Sequence, residues 1–233
     1  MQLSRTHTFL PIAALCALLA ACGGGGGGDD APPAAETLPD LGACFTAKTG
    51  LRYTLANSDP GNVGVRGEYL KEVFDGTLRQ AWVEYVDLTS DKRTSATYYS
   101  VESDGVRFWG DYDYAPTGER GTKSVYIDYL IPKTLAVGET VTFHYKDNNY
   151  FTGGSFLSQD QQETWTFEGH ETLTLGGHTF TNACRLKTSS ADTPEWGSTI
   201  VWVAPGYGPI QFHYLDVDGK LEGTRSFDSI TEP

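Results

Sequence analysis

The stretch ETWTFEGHETLTLGGHTFTNACRLKTSS, Glu163–Ser190, decides the fold class. Thr164 to Phe167 alternate around Trp165 and Phe167, so a period of two fits and a helical stripe does not. Glu171 to Leu175 alternates again, with Thr172 and Thr174 opposite Leu173. Gly176-Gly177 follows, then the β-branched and aromatic run His178 to Thr181. Two glycines between two alternating runs predict a tight hairpin, because both central positions then take positive φ without Cβ strain. Ala183 to Lys187 continues the second strand, with Cys184 and Leu186 on one face and Arg185 and Lys187 on the other. Beyond Thr193-Pro194, Thr199 to Val203 is a further strand. Ala204 to Pro209 bends the chain, because proline lacks the amide donor and glycine supplies unusual φ. Ile210 to Leu215 resumes extended structure.

The same grammar runs back through the domain. Leu51 to Leu55 is a strand, and Asp75-Gly76 between Glu68–Phe74 and Thr77–Asp87 is a strong hairpin signal. A helix over Glu68–Phe74 is the competing reading, since Tyr69, Leu70, Val73 and Phe74 would share a face. Thr94 to Val101, a turn at Ser103-Asp104-Gly105, Val106 to Tyr112, Lys123 to Leu130 and Thr140 to Tyr145 follow. Strands recurring about every ten residues with no long helical stripe predict an all-β single domain with few or no helices, an antiparallel open or half barrel or a β-sandwich.

Residues 1–21 read as an export signal: one basic residue, Arg5, then the apolar run Phe9 to Ala21, too short to span a bilayer. Leu19-Ala20-Ala21-Cys22 resembles the bacterial lipobox, in which the cysteine is lipidated, palmitate included, and becomes the mature N-terminus. The plain alternative is a secretory signal with an incidental cysteine. Burying acyl methylenes at about 0.8 kcal/mol each makes a multiply acylated Cys22 a stable membrane anchor. Gly23 rather than an aspartate follows it, so the outer membrane is the expected address, with the domain in the periplasm or surface-exposed. Residues 22–40 are then the lipidated cysteine and a Gly/Asp/Pro/Ala tether; the 18 residues from Gly23 to Asp40 span roughly 20–25 Å as a flexible coil. Residues 41–233 are the single β domain.

The chain has 17 Lys and Arg against 30 Asp and Glu, a net charge of −13, and removing the leader (one Arg, no acid) leaves −14. A basic face supplies most of the affinity for nucleic acid, so nucleic acid is not an expected partner. With Cys16 in the leader and Cys22 lipidated, Cys44 and Cys184 remain, 140 residues apart. Export to an oxidising compartment makes a disulfide between them the default, and its long loop gives typically 2–4 kcal/mol. No CxxC and no histidine pair at ligand spacing points to zinc, so neither a metal nor another cofactor is expected.

Catalytic motifs are scarce. Ser124, Ser155 and Ser198 sit in no G-x-S-x-G elbow, and His144, His170, His178 and His213 lie in or beside strands without a partner set. Asp216-Val217-Asp218-Gly219 lacks the rest of a calcium loop and reads as a hairpin turn, as does Asp147-Asn148-Asn149. No catalytic residue is named. The 13 Tyr, 11 Phe and 5 Trp are the remaining signal: flat π faces suit acyl chains and sugar rings, although core packing explains most aromatics equally well. Trp82, Trp109, Trp165, Trp196 and Trp202 could all line a groove; Trp165, Trp196, Trp202 and Tyr207 are the candidate groove residues, with Trp196 set apart because it lies in a loop after Pro194.

LIPKTLAVGETVTFHY (Leu130–Tyr145), ETLTLGGHTFTNACRLKT (Glu171–Thr188) and VWVAPGYGPIQ (Val201–Gln211) together resemble a family of bacterial envelope lipoproteins of unassigned function. His178 departs from that pattern, where a small residue or Thr is commoner. The resemblance implies a half-barrel like that of the lipoprotein carrier and acceptor LolA and LolB, a curved sheet cupping an apolar ligand, although no helices of the kind that plug that cup are legible here. The expected function is non-enzymatic binding of a lipid or other apolar or amphipathic ligand, or of an envelope protein, on a concave face. A purely structural or interaction module is the alternative and a hydrolase the third reading.

Overall fold

The computed structural model describes residues 38–58 and 64–233. The leader, Cys22 and almost all of the tether lie outside them. Among the described residues thirteen strands follow one short helix: α1 Leu41–Cys44, β1 Arg52–Asn57, β2 Val65–Phe74, β3 Thr77–Tyr85, β4 Arg93–Val101, β5 Gly105–Tyr114, β6 Arg120–Ile127, β7 Leu130–Pro132, β8 Thr140–Tyr150, β9 Phe156–Leu175, β10 His178–Ser190, β11 Ser198–Ala204, β12 Gly208–Leu215 and β13 Leu221–Thr231. A 3₁₀ turn covers Pro194–Trp196. Among the described residues no helix is long and apolar enough to cross a membrane.

The all-β, single-domain reading holds, and neither the open or half barrel nor the β-sandwich does. Each strand pairs antiparallel with the next around a ring of twelve, and β13 returns to β1, with Arg52 opposite Thr231 and Asn57 opposite Arg225. Only the short β7 stands outside the ring; it takes the stretch Gly105–Arg107 of β5 that β6 leaves unpaired. The ring of twelve therefore closes into an up-and-down barrel. The physical reason is long-range: pairing of the first strand with the last leaves the alternation of neither strand changed.

The turns follow local chemistry. Gly176 and Gly177 have φ of 53° and 79°, and Asp75 and Gly76 have φ of 52° and 78°, as a two-residue primed hairpin requires. Glu68–Phe74 lies within strand β2, so the helical alternative falls. Asp147–Asn149 is not a turn: it runs inside β8, each residue opposite one of β9. Asp216 does cap a turn, its Oδ1 accepting from the amides of Asp218 and Lys220.

A twelve-stranded ring is wider than its own side chains readily fill. Here residues 41–51 help fill it. Asp40 Oδ1 accepts from the Ala43 amide at 2.8 Å and starts helix α1. Leu41, Cys44, Phe45, Ala47 and Leu51 are all buried, and the larger of these side chains contribute roughly 1.5–3 kcal/mol each on burial. The Leu41 amide donates to the Lys133 carbonyl and the Gly206 amide to that of Thr46, tying the segment to the chain after β7 and to the β11–β12 connection. The Cys44–Cys184 disulfide, Cα atoms 6.1 Å apart, binds it covalently to β10. This plug was not legible in the sequence beyond the domain start near Leu41.

Side chains of β2 to β5 alternate between two apolar clusters. One face contributes Tyr69, Trp82 and Tyr99 to the barrel interior. The other contributes Phe74, Ala81, Val83, Ala96 and Tyr98 to a second cluster outside it. Phe74 of β2 stacks on Tyr98 of β4 with centroids 4.5 Å apart and meets Tyr112 of β5 edge-on at 5.7 Å. Strands lie about 4.8 Å apart, so such contacts require the sheet to curl over this outer face.

Candidate ligand cavity

Inside the barrel is a cavity of about 340 Å³, within the range of small-molecule sites. Its walls are aromatic and β-branched: Trp82 from β3, Tyr99 from β4, Phe108 from β5, Trp165 from β9, Thr199, Val201 and Val203 from β11, and Pro209, Phe212 and Tyr214 from β12. Phe45 of the plug and Tyr129, ahead of β7, complete it, with Thr188 of β10. Period-two alternation delivers Thr199, Val201 and Val203 inward from one strand. A register shift between Trp202 and Val203 on the β11–β12 pair brings Pro209 in beside Phe212 and Tyr214. Trp82 and Phe212 stack nearly parallel at 5.9 Å, and Phe45 meets Phe108 edge-on at 6.0 Å.

One side of the cavity is organised by Glu163. Its carboxylate accepts from the Tyr129 hydroxyl, from Tyr145 at 2.9 Å and from Trp165 Nε1 at 3.1 Å. Three donors on one carboxylate fix two of the cavity's rings.

Beyond the Trp82 and Tyr99 walls the barrel is polar. Trp82 Nε1 donates to the Tyr53 hydroxyl. Glu84 lies 3.5 Å from Arg225, and burial pushes its carboxyl above the usual range, with the guanidinium working against that shift. Burial likewise raises the phenols of Tyr69 and Tyr99. The hydroxyls of both are buried without a hydrogen-bond partner, whereas Glu84 Oε1 faces Arg225. The Tyr69 hydroxyl packs on Gly208 so closely that a Cβ there would lie 2.1 Å from it, so only glycine fits beside Pro209.

Of the sequence candidates, Trp165 lines this cavity. Trp202 points to the opposite face of β11 from Val201 and Val203; it donates to Glu171, lies under Arg185 and meets the ring of His213 at 4.7 Å. Tyr207 lines a separate recess with Phe180 and donates to Glu232 at 2.9 Å. Trp196 ends the 3₁₀ turn. Trp82, one of the five tryptophans that could line a groove, does line the cavity; sequence reasoning missed Phe45, Phe108, Phe212 and Tyr214, because alternation marks strand faces but closure sets which face borders a cavity.

No histidine lines the cavity. His170 Nε2 lies 2.9 Å from the Pro39 carbonyl oxygen, and Ser124 donates to Asn149. One His170 ring nitrogen and the sulfurs of Cys44 and Cys184 lie within 4.8 Å of one another, but the sulfurs are bonded to each other.

No family model matches the chain, and no curated protein does. Among solved structures, it is similar to a Bacteroides fragilis protein described as exported and as having a YmcC-like fold, with a TM-score of 0.50 and 10% identity over 84% of this chain and all of that one. A Parabacteroides distasonis protein described as a lipoprotein matches at a TM-score of 0.46 and 11% identity, over 84% of this chain and all of that one. The lipoprotein YmcC of Escherichia coli, described as hypothetical, matches at 0.35 and 13% identity, over 83% of this chain and 90% of that one. At such identities the likeness speaks for fold alone: a closed barrel similar to the YmcC-like fold stands where a LolA-like half-barrel was expected.

Proposed function

We propose that this chain is an outer-membrane lipoprotein, anchored through Cys22 with its barrel in the periplasm or at the surface, that holds an apolar or amphipathic ligand inside the barrel. The observation that carries the reading is the aromatic cavity of about 340 Å³. The lipobox-like Leu19–Cys22 supports the anchor, and the Bacteroides fragilis protein of similar fold is described as exported. The plug and its disulfide support retention rather than passage, because they occupy part of the lumen of a wide barrel.

Native mass spectrometry of the full-length protein purified from its own envelope tests the reading. A retained mass of lipid size is expected, lost in Thr199→Trp, which puts an indole into the cavity. Protein that leaves the envelope bare in every preparation defeats it. A partner-binding module is the second reading, favoured by the β8–β9 hairpin tip, where Tyr150, Phe151, Phe156 and Leu157 are exposed together. The same spectra separate the two, since a partner adds the mass of a second chain.

A further inference from the structure

The aromatic cavity continues into a polar storey at one rim. Trp165 of β9, Thr188 of β10, Thr199 of β11 and Tyr214 of β12 stand opposite one another in register, and all four line the cavity. Two residues along β9 and β10, Glu163 stands opposite Ser190. Side chains two apart on a strand share a face, so this pair also points inward, about 7 Å from the row of Trp165 and Thr188. Glu163 and Ser190 line a second recess of about 170 Å³, with Thr193 and Ser198, and that recess shares Thr188 and Thr199 with the cavity. No Lys, Arg or His lines either space. Glu163 is also an exception in its charge. Among the described residues, the other glutamates that are not exposed, Glu68, Glu72, Glu84, Glu102 and Glu171, each have an arginine at 3.9 Å or less. The partners of Glu163 are three neutral donors, Tyr129, Tyr145 and Trp165. The connection 191–197 beside it carries Asp192 and Glu195 and no basic residue.

We infer that the ligand is an amphiphile with an ammonium head: its apolar body fills the cavity, and its head sits in the rim recess and donates to Glu163 and to the hydroxyl oxygens beside it. This rests on the cavity being a ligand site. A carboxylate offers about four acceptor positions, and three of those on Glu163 are taken. An ammonium brings donors for the fourth and for Ser190 and Ser198, together with the positive charge that the other half-buried glutamates find in arginine. An anionic head would meet a recess whose one charged lining residue is a carboxylate. The recess is half-open, since Thr188, Ser190, Thr193 and Ser198 are all half-buried. The head therefore keeps water on one side, and the desolvation that cancels a fully buried ion pair is largely avoided.

The test uses the full-length protein in phosphatidylcholine nanodiscs at neutral pH, titrated with octylamine, octanol and octanoate while tryptophan emission is followed, Trp82 and Trp165 being in the cavity wall. Under those conditions the amine is protonated and the acid ionised. Titration of empty nanodiscs gives the partition of each probe, which is subtracted. Wild type is expected to bind octylammonium roughly three- to tenfold more tightly than octanol, the size of one half-exposed charge-assisted hydrogen bond, and to bind octanoate most weakly. Glu163→Gln should remove the preference for the amine. Because Glu163 also anchors three side chains, Thr193→Lys supplies a second variant that leaves them in place. Its own ammonium enters the recess, so octanoate should now bind more tightly than octylammonium. If octanol or octanoate binds wild type as tightly as octylammonium, or if either variant keeps the wild-type order, the inference is overturned while the cavity stands as a binding site. If no probe binds wild type, the ligand-cavity reading fails and takes the inference with it.

Discussion

The two aromatic clusters of this barrel are built from similar residues and finished differently. In the outer cluster Phe74 and Tyr98 stack, the Tyr98 hydroxyl donates to Glu72, and Arg93 holds both oxygens of Glu72 at 3.0 and 2.6 Å. Lys123 and Arg120 lie over the rings of Phe74 and Tyr112. Ring contacts and the Tyr98 hydroxyl are satisfied together there, although the buried Nε atoms of Arg66 and Arg79, which lie over the Tyr85 and Trp109 rings, have no hydrogen-bond partner. The inner cluster has more rings, yet it leaves a cavity and the Tyr69 and Tyr99 hydroxyls without hydrogen-bond partners. Aromatic content alone does not separate a packed cluster from one that leaves a cavity.

The largest effect should come from the sealed cluster. Phe74→Ala is expected to cost about 3–5 kcal/mol, because Phe74 is 2% exposed and its neighbours sit on a sheet that cannot collapse into the space. Urea unfolding measures it, and a loss below about 1 kcal/mol would mean that the two clusters are equally loose.

Replacing Cys44 and Cys184 by serine should cost about 2–4 kcal/mol. The bridge ties the plug to β10, so hydrogen exchange should quicken over residues 41–51 before it does over β2 and β3. Uniform loss of protection would show that the plug is not a separately anchored element.

Glu72→Gln should cost about 1–2 kcal/mol by weakening the paired hydrogen bonds to Arg93. Hydrogen bonding from Arg93 holds the Glu72 carboxyl below its ordinary 4.5, with burial opposing. The wild-type contribution is therefore present above that value and lost as pH falls through the lower folded one. The variant's stability should be flatter in acid.

The smallest and opposite effect concerns Asp111, whose carboxyl burial raises from 3.8 to about 6 against the hydrogen bond from Tyr126, with Asp113 and Asp147 adding to the rise. Its folded state prefers the proton, so its stabilising contribution is present below 3.8 and is lost as pH rises through about 6. Asp111→Asn should narrow the stability difference between mildly acid and neutral solution, read from urea midpoints. An unchanged difference would place the acid dependence elsewhere.

Much of the candidate site was half-legible. The alternation of Thr199 to Val203 separates Val201 and Val203 from Trp202, yet nothing local says which set faces a lumen, and Trp202 lies on the other side. Trp165 was legible for the same weak reason as Trp202, a large ring in a strand. Phe45 was invisible because its role depends on a plug whose only local mark is Asp40 ahead of α1. Tyr69 and Tyr99 could not be singled out among 13 tyrosines, since being unpartnered is a property of surroundings.

By itself the sequence determined what travels through short-range physics. Alternation set the strands, paired small residues set the turns at 75–76 and 176–177, and cysteine number and expected compartment named the bridge between residues 44 and 184. Tertiary structure alone decided that β1 meets β13, that residues 41–51 enter the lumen, and that rings from five strands surround an unfilled space. Those depend on closing contacts far apart in the chain, whose register no stretch of residues encodes locally.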